Sequence, residues 1–212
     1  MTGIVIYPQS ALPGSSASLL TALQPAISQR TNVIAQGIQA LQNGPLPSSA
    51  RLDTRPDSTE TPIHERLFDA LAAAKVLTSR VAMHLTLEWR DKLFRQLDSL
   101  HDPEEWEEGD IPVQQASFMT FLKAMVAVNP TRRPGLGLSH AGNLIAAWTI
   151  GKDRLTIEFM LHDRVRWVIS LHYDDDPVRY AGDVPVSRLN EGLAKHNPEL
   201  WFHSGSENRQ HP

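Results

Sequence analysis

The feature that most constrains this chain runs from Arg133 to Leu171, RPGLGLSHAGNLIAAWTIGKDRLTIEFMLHDRVRWVISL. It holds four runs of strand length separated by Ala141-Gly142-Asn143, Gly151-Lys152-Asp153 and Leu161-His162-Asp163. Gly, Asn and Asp tolerate the positive φ that tight hairpins demand. Between these turns the side chains alternate. Leu155, Ile157 and Phe159 share one face, with Thr156 and Glu158 on the other. Val165, Trp167, Ile169 and Leu171 likewise oppose Arg164, Arg166 and Ser170. A period of two means one buried face and one wetter face. Leu144 to Ile150 is apolar on both sides and reads as the central strand. Loops this short between sequential strands predict antiparallel neighbours. The core face then needs a cover, and the helical stretches before and after it are the candidates. The expected fold is α+β: N-terminal helices, an antiparallel four-stranded meander and a C-terminal helix.

The stretches outside the meander divide the chain. Residues 1–61 read as a flexible arm with weak helices. Within it, Ile4, Val5 and Ile6 suit a short strand; Leu19, Leu20 and Leu23 lie behind a Ser15–Ser18 cap, and Pro25 either kinks that helix or begins another. Val33, Ile34, Ile38 and Leu41 have helical spacing, with Asn43-Gly44 as a stop. Four prolines with Ser and Thr between residues 45 and 62 give linker composition. Residues 62–204 read as a single α+β domain and residues 205–212 as a disordered tail. Ile63 to Leu100 is helical by its stripes Leu67, Leu71, Ala74, Leu77 or Thr78, and Val81, Leu85, Trp89, Leu93, Leu97, Leu100, although Val81, Met83, Leu85, Leu87 and Trp89 also alternate as a strand would. A break near Thr78-Ser79 would make it a helical hairpin; without one it is a single rod about 55 Å long at a rise of about 1.5 Å per residue. A short helix spans 116–128, His172 to Pro185 reads as polar loop, and a last helix covers 186–196. Leu200, Trp201 and Phe202 anchor the end.

Composition removes several function classes. A formal charge of −4 and a pI near 6.1 leave no footprint of a nucleic-acid binder. The absence of cysteine excludes disulfides and thiolate metal sites. No apolar run approaches the roughly 20 residues of a membrane span, and MTGIVIYPQS lacks the basic and apolar regions of a Sec signal. The expectation is a soluble cytoplasmic protein.

Six of the nine residues from Asp102 to Asp110 are acidic, with Trp106 at the centre. Trp106, Glu107, Glu108 and Asp110 form a candidate interaction turn, whose alternatives are a solvated loop and an oxygen-ligand cation or acid–base site. Trp106 reads either as a lid packed on the helices or as a recognition residue. Arg164 and Arg166 are the second candidate pair. With Arg132, Arg133 and Arg154 they could gather on one sheet face, to solvate it through pairs such as Glu158 with an arginine, or to meet an acidic partner. Asp174-Asp175-Asp176 reads as a solvated loop after a strand, with a metal cluster as the alternative. His84 and Glu88 have ligand spacing if both sit on one helix, but no second ligand pair is evident. His101, His162 and His172 fall at element ends and read as surface residues. Ser139-His140 makes no dyad, Gly135-Leu136-Gly137 no phosphate loop, and no G-x-S-x-G elbow occurs. No metal, cofactor or catalytic set is therefore assigned.

At WEEGD, the helix Phe118–Val128 and the strands GNLIAAW and DRLTIEF, the chain resembles a group of uncharacterised small bacterial proteins. They carry a Trp-acid-Gly turn, a helix, a strand ending in Glu-Trp and a Leu-x-Ile-x-Phe-like strand. Trp106, Gly109, Gly142, Trp148, Leu155, Ile157 and Phe159 match; Ala147 stands where Glu is usual, and the turn has an extra acid and no Tyr-Gly after it. The resemblance covers about 70 residues, implies an α+β fold with a meander, and brings no activity. The functional expectation is a non-enzymatic interaction protein with a protein partner or self-association, in the form of an antitoxin- or immunity-like neutraliser or an oligomerising accessory protein. The alternatives are a carboxylate-based hydrolase without a recognisable motif and a weak nucleic-acid binder.

Overall fold

The computed structural model describes residues 33–43, 61–173 and 176–203. The expected Ile4–Ile6 strand, the Leu19–Leu23 helix, the linker over 44–60, Asp174-Asp175 and the tail lie outside the described residues. Helix and sheet are mixed, as the strand and helix periodicities require. Five antiparallel strands, β1 (Gly135–Leu138), β2 (Leu144–Ile150), β3 (Asp153–Phe159), β4 (Arg164–Tyr173) and β5 (Asp176–Pro185), stand side by side in chain order.

The fifth strand corrects the four-stranded expectation. The aspartates, two prolines and Gly182 gave 172–185 the look of a loop, yet Val178, Tyr180 and Val184 alternate as a strand must. β3, not β2, is the middle strand. The predicted turns bend where expected: Gly142, Gly151, His162 and Asp163 all have positive φ, between 57° and 73°. Two consecutive positive values at His162-Asp163 match the right-handed twist of the strands they join.

Leu144, Ala146, Trp148, Leu155, Ile157, Phe159, Val165, Trp167 and Ile169 are buried on one face. The described helices cover that face alone. Helix α1 spans residues 33–43 of the arm, and its Leu41 is fully buried. The stretch 63–100 is two helices, α2 (Ile63–Arg80) and α3 (Leu87–Leu100), parted by a 3₁₀ turn at Ala82–His84. The break thus falls just after the expected Thr78-Ser79. There Thr86 caps α3, accepting from Trp89 N at 3.2 Å. Helix α4 (Gln115–Val128) is the most buried, packing on α2, β2 and β3. The expected helix 186–196 is instead a 3₁₀ turn, a single α-turn α5 (Leu189–Gly192) and another 3₁₀ turn at Ala194–His196. Gly192 and the left-handed Asn197 help to explain why no longer helix forms there. Helix α6 (Pro198–Phe202) then puts Trp201 and Phe202 into the core, with Phe202 edge-on to Trp148 at 5.1 Å.

α4 is stitched to the ends of the strands. Buried Ser117 accepts from Leu144 N at 2.7 Å and donates to Phe159 O at 2.6 Å. Thr120 donates to Met160 O at 2.9 Å. The Lys123 ammonium, 8% exposed, meets both oxygens of Asp163 at 2.7 Å and ties the β3–β4 turn down. Among the described residues no helix is long and apolar enough to cross a membrane.

Candidate functional site

The acidic turn is built from its backbone outward. Trp106 lies half-buried over α3; its Nε1 donates to Leu100 O at 3.1 Å, and its ring lies nearly parallel to His101, centroids 6.1 Å apart. Trp106 is therefore a lid. The turn closes on itself: Asp110 N donates to Glu107 O at 3.0 Å, and Glu107 N donates to the Asp110 carboxylate at 2.9 Å. Arg66 on α2 clamps it, donating from Nη1 to Glu108 O at 3.3 Å and from Nη2 to Asp110 O. Arg66 takes carbonyls and leaves the carboxylates alone. Glu107 and Glu108 are exposed, and neither side chain has a partner among the described residues.

His101, expected at the surface from its place at an element end, is buried instead. It is 3% exposed. Its Nδ1 lies 2.8 Å from Leu97 O, an acceptor, which places the proton on Nδ1. Nε2 is buried without a partner among the described residues. Burial holds its pKa below the ordinary value of 6.5, against weaker opposing effects of the Leu97 carbonyl and Asp98.

A cleft of about 400 Å³ separates the acidic turn from the β1–β2 turn, bringing Asp110, Ser139 and His140 to one opening. Two of them are engaged locally: Asp110 accepts from Glu107 N, and Ser139 Oγ accepts from Asn143 N at 3.1 Å. No hydrogen bond links the three. Asn143 in turn donates to Glu158 at 2.9 Å. A second, apolar cleft of about 320 Å³ lies between α2 and the start of α4, where Ala70, Ala73 and Ala74 are too small to fill the space.

Arg164 and Arg166 stand on the sheet face that no described helix covers, and both are matched by carboxylates. Arg164 Nε donates to Asp183 at 3.0 Å; Arg166 lies 3.8 Å from Glu158 and 4.0 Å from Asp183. The Glu158–Arg166 cross-strand pair is as expected, whereas Asp183 was hidden in the missed strand. Two guanidiniums facing two carboxylates leave little net charge. Arg132 does not join this group: its backbone is bound by Trp148 and Phe202 on the core side.

The metal spacing of His84 and Glu88 dissolves, because His84 sits on the 3₁₀ turn and Glu88 begins α3. Glu88 pairs instead with Lys92, whose hydrogen bond and charge hold the carboxyl below its ordinary pKa. Among the described residues no three His, Asp or Glu are grouped to hold a metal ion. The acidic turn and the Arg164/Arg166 pair occupy different parts of the molecule, one beside α2 and α3 and one on the open sheet face. Comparison with family models, curated proteins and solved structures finds no match to this chain.

Proposed function

We propose that the chain is a non-enzymatic protein-interaction protein, either an oligomerising accessory protein or a neutraliser of the antitoxin or immunity kind, working in the cytoplasm. What carries the reading is the one-sided sheet. All described helices lie against one face, leaving the other face and the outer edge of β5 uncovered by any described residue. A wet face is ordinary for an antiparallel sheet, but an unguarded strand edge is normally covered or serves association. The acidic turn supports the same reading: its backbone is fixed by Arg66 and Trp106 while the Glu107 and Glu108 carboxylates have no partner among the described residues, a pre-ordered charged surface suited to a basic partner. The faint resemblance to small bacterial proteins suggests a bacterial setting and adds no activity.

The nucleic-acid alternative loses ground because Asp183 and Glu158 neutralise the arginines it needs. The test is purification of the tagged chain from its host beside the variant Trp106→Ala/Glu107→Gln/Glu108→Gln. A partner held by the parent chain and lost by the variant is the expected result. Substrate turnover abolished by the triple variant, or a metal retained in native mass spectrometry, would refute the reading.

A further inference from the structure

β5 ends the sheet, and its outer edge has no neighbour among the described residues. Its pairing with β4 runs without a bulge from Arg164↔Pro185 to Tyr173↔Asp176. The direction of its free backbone groups follows from two hydrogen bonds. Arg164 O accepts from Met160 N on the β3 side, so its partner in the register, Pro185, points its own backbone away from β4. Val186 N donates to Asp163 O, so the next residue points inward. N–H groups alternate sides along a strand. Hence Arg179, Ala181 and Asp183 aim their N–H and C=O outward, bracketed by Pro177 and Pro185, which have no N–H to lose there.

The sequence of this edge, Pro-Val-Arg-Tyr-Ala-Gly-Asp-Val-Pro, is complementary to itself when reversed. Opposed antiparallel about Ala181, Pro177 meets Pro185, Val178 meets Val184, Arg179 meets Asp183 and Tyr180 meets Gly182. Each match has a physical sense. Opposite charges face each other on the open side of the sheet, and Arg179 has no ion-pair partner among the described residues. Tyr180, 41% exposed and packed on His196 at 4.6 Å, would come beside Gly182, whose face Trp167 already covers. Ala181 adds no bulk at the axis. Shifting the register by one step in either direction sets Arg179 against Ala181 or Pro185 and loses the charge match. The usual guards of an edge, a lysine, a bulge or an internal proline, are absent between the two end prolines.

We propose that two copies of this chain join antiparallel along β5 about a two-fold axis through Ala181, uniting two five-stranded sheets into one. The outward groups of Arg179, Ala181 and Asp183 supply about six hydrogen bonds across the axis, two for each facing pair. Each Asp183, already beside Arg164 and Arg166, receives the Arg179 of the partner subunit as a further cation. The inference rests on the reading of the chain as an interaction protein and names self-association as its form.

The test uses the full chain, 23.6 kDa, in light scattering and sedimentation at up to about 100 μM, where even weak association registers. A species of twice the chain mass is expected. Ala181→Pro should return it to the single-chain mass with unchanged circular dichroism, because the N–H it removes points away from β4 and serves no bond among the described residues. Because the chain has no cysteine, Ala181→Cys gives one thiol, on the axis. Facing residues of such a pair stand about 5.5 Å apart at Cα, within disulfide range. Mild oxidation should therefore link Ala181→Cys rapidly and the control Thr149→Cys, exposed on β2, slowly. A monomer at all concentrations, a dimer indifferent to Ala181→Pro, or equal cross-linking of the two variants would overturn the proposal. A monomer that still captures another protein through the acidic turn would remove self-pairing and leave the broader function standing. A monomer whose capture of another protein is abolished by Ala181→Pro would assign the edge to a foreign strand instead.

Discussion

Replacing Ser117 with alanine tests how the sheet is fastened to its central helix. Ser117 is fully buried on α4, and its hydroxyl sits between the facing ends of β2 and β3. It accepts from Leu144 N at 2.7 Å and donates to Phe159 O at 2.6 Å. Alanine removes the oxygen and leaves one buried N–H and one buried C=O without that partner. Each orphaned group costs about 1–3 kcal/mol, the carbonyl at the lower end because it keeps a second lone pair. The space vacated is one oxygen atom, smaller than a water needs. Alanine returns a few tenths of a kcal/mol in helix propensity. The net loss is about 3 kcal/mol, a large part of the 5–15 kcal/mol typical of a domain. With a urea m-value of about 2 kcal/mol/M the midpoint falls by about 1.5 M at unchanged m. Ser99→Ala, exposed on α3, is the control and should stay within about 0.5 kcal/mol. The Leu144 amide should also lose hydrogen-exchange protection. A Ser117→Ala midpoint within about 0.25 M of the parent would refute the bridging role.

Three further outcomes follow from the same packing. His101, held neutral by burial, binds fewer protons folded than unfolded; stability is therefore full above about pH 6.5 and declines as pH falls below it, until the folded ring itself protonates. The difference in urea midpoint between pH 7.5 and 5.5 should shrink in His101→Leu; an unchanged difference would show that other groups set the acid sensitivity. Gly182→Ala places a Cβ 2.5 Å from Trp167 Cζ2 and should cost about 1–3 kcal/mol by overpacking, seen as a lowered melting temperature; an unshifted melt contradicts the contact. Arg66→Ala frees the carbonyls of Glu108 and Asp110 and should speed proteolytic cleavage after Glu107 or Glu108 several-fold while the melting temperature moves little. Cleavage at the parent rate would mean that Trp106 alone holds the turn.

The alternation of Leu155, Ile157 and Phe159 against Thr156 and Glu158, with positive-φ turn residues between the runs, was enough by itself to specify an antiparallel meander and its buried face. Period and turn chemistry are local, and each is written in adjacent residues. The lid role of Trp106 and the Glu158–Arg166 pair were within reach for the same reason. Other features depended on residues far apart in the chain. β5 had the composition of a loop, and its strand geometry is bound up with its pairing to β4 along ten residues. His101 looked like a helix end, and only the stacking of Trp106 and the packing around α3 bury it. Arg66 could not be matched to carbonyls more than forty positions away, nor Asp183 to Arg164. The sequence alone determined which face of the sheet is dry. Tertiary structure decided which charges are neutralised and, among the described residues, which edge and which carboxylates have no partner, because burial and pairing are properties of neighbours that the chain order does not list.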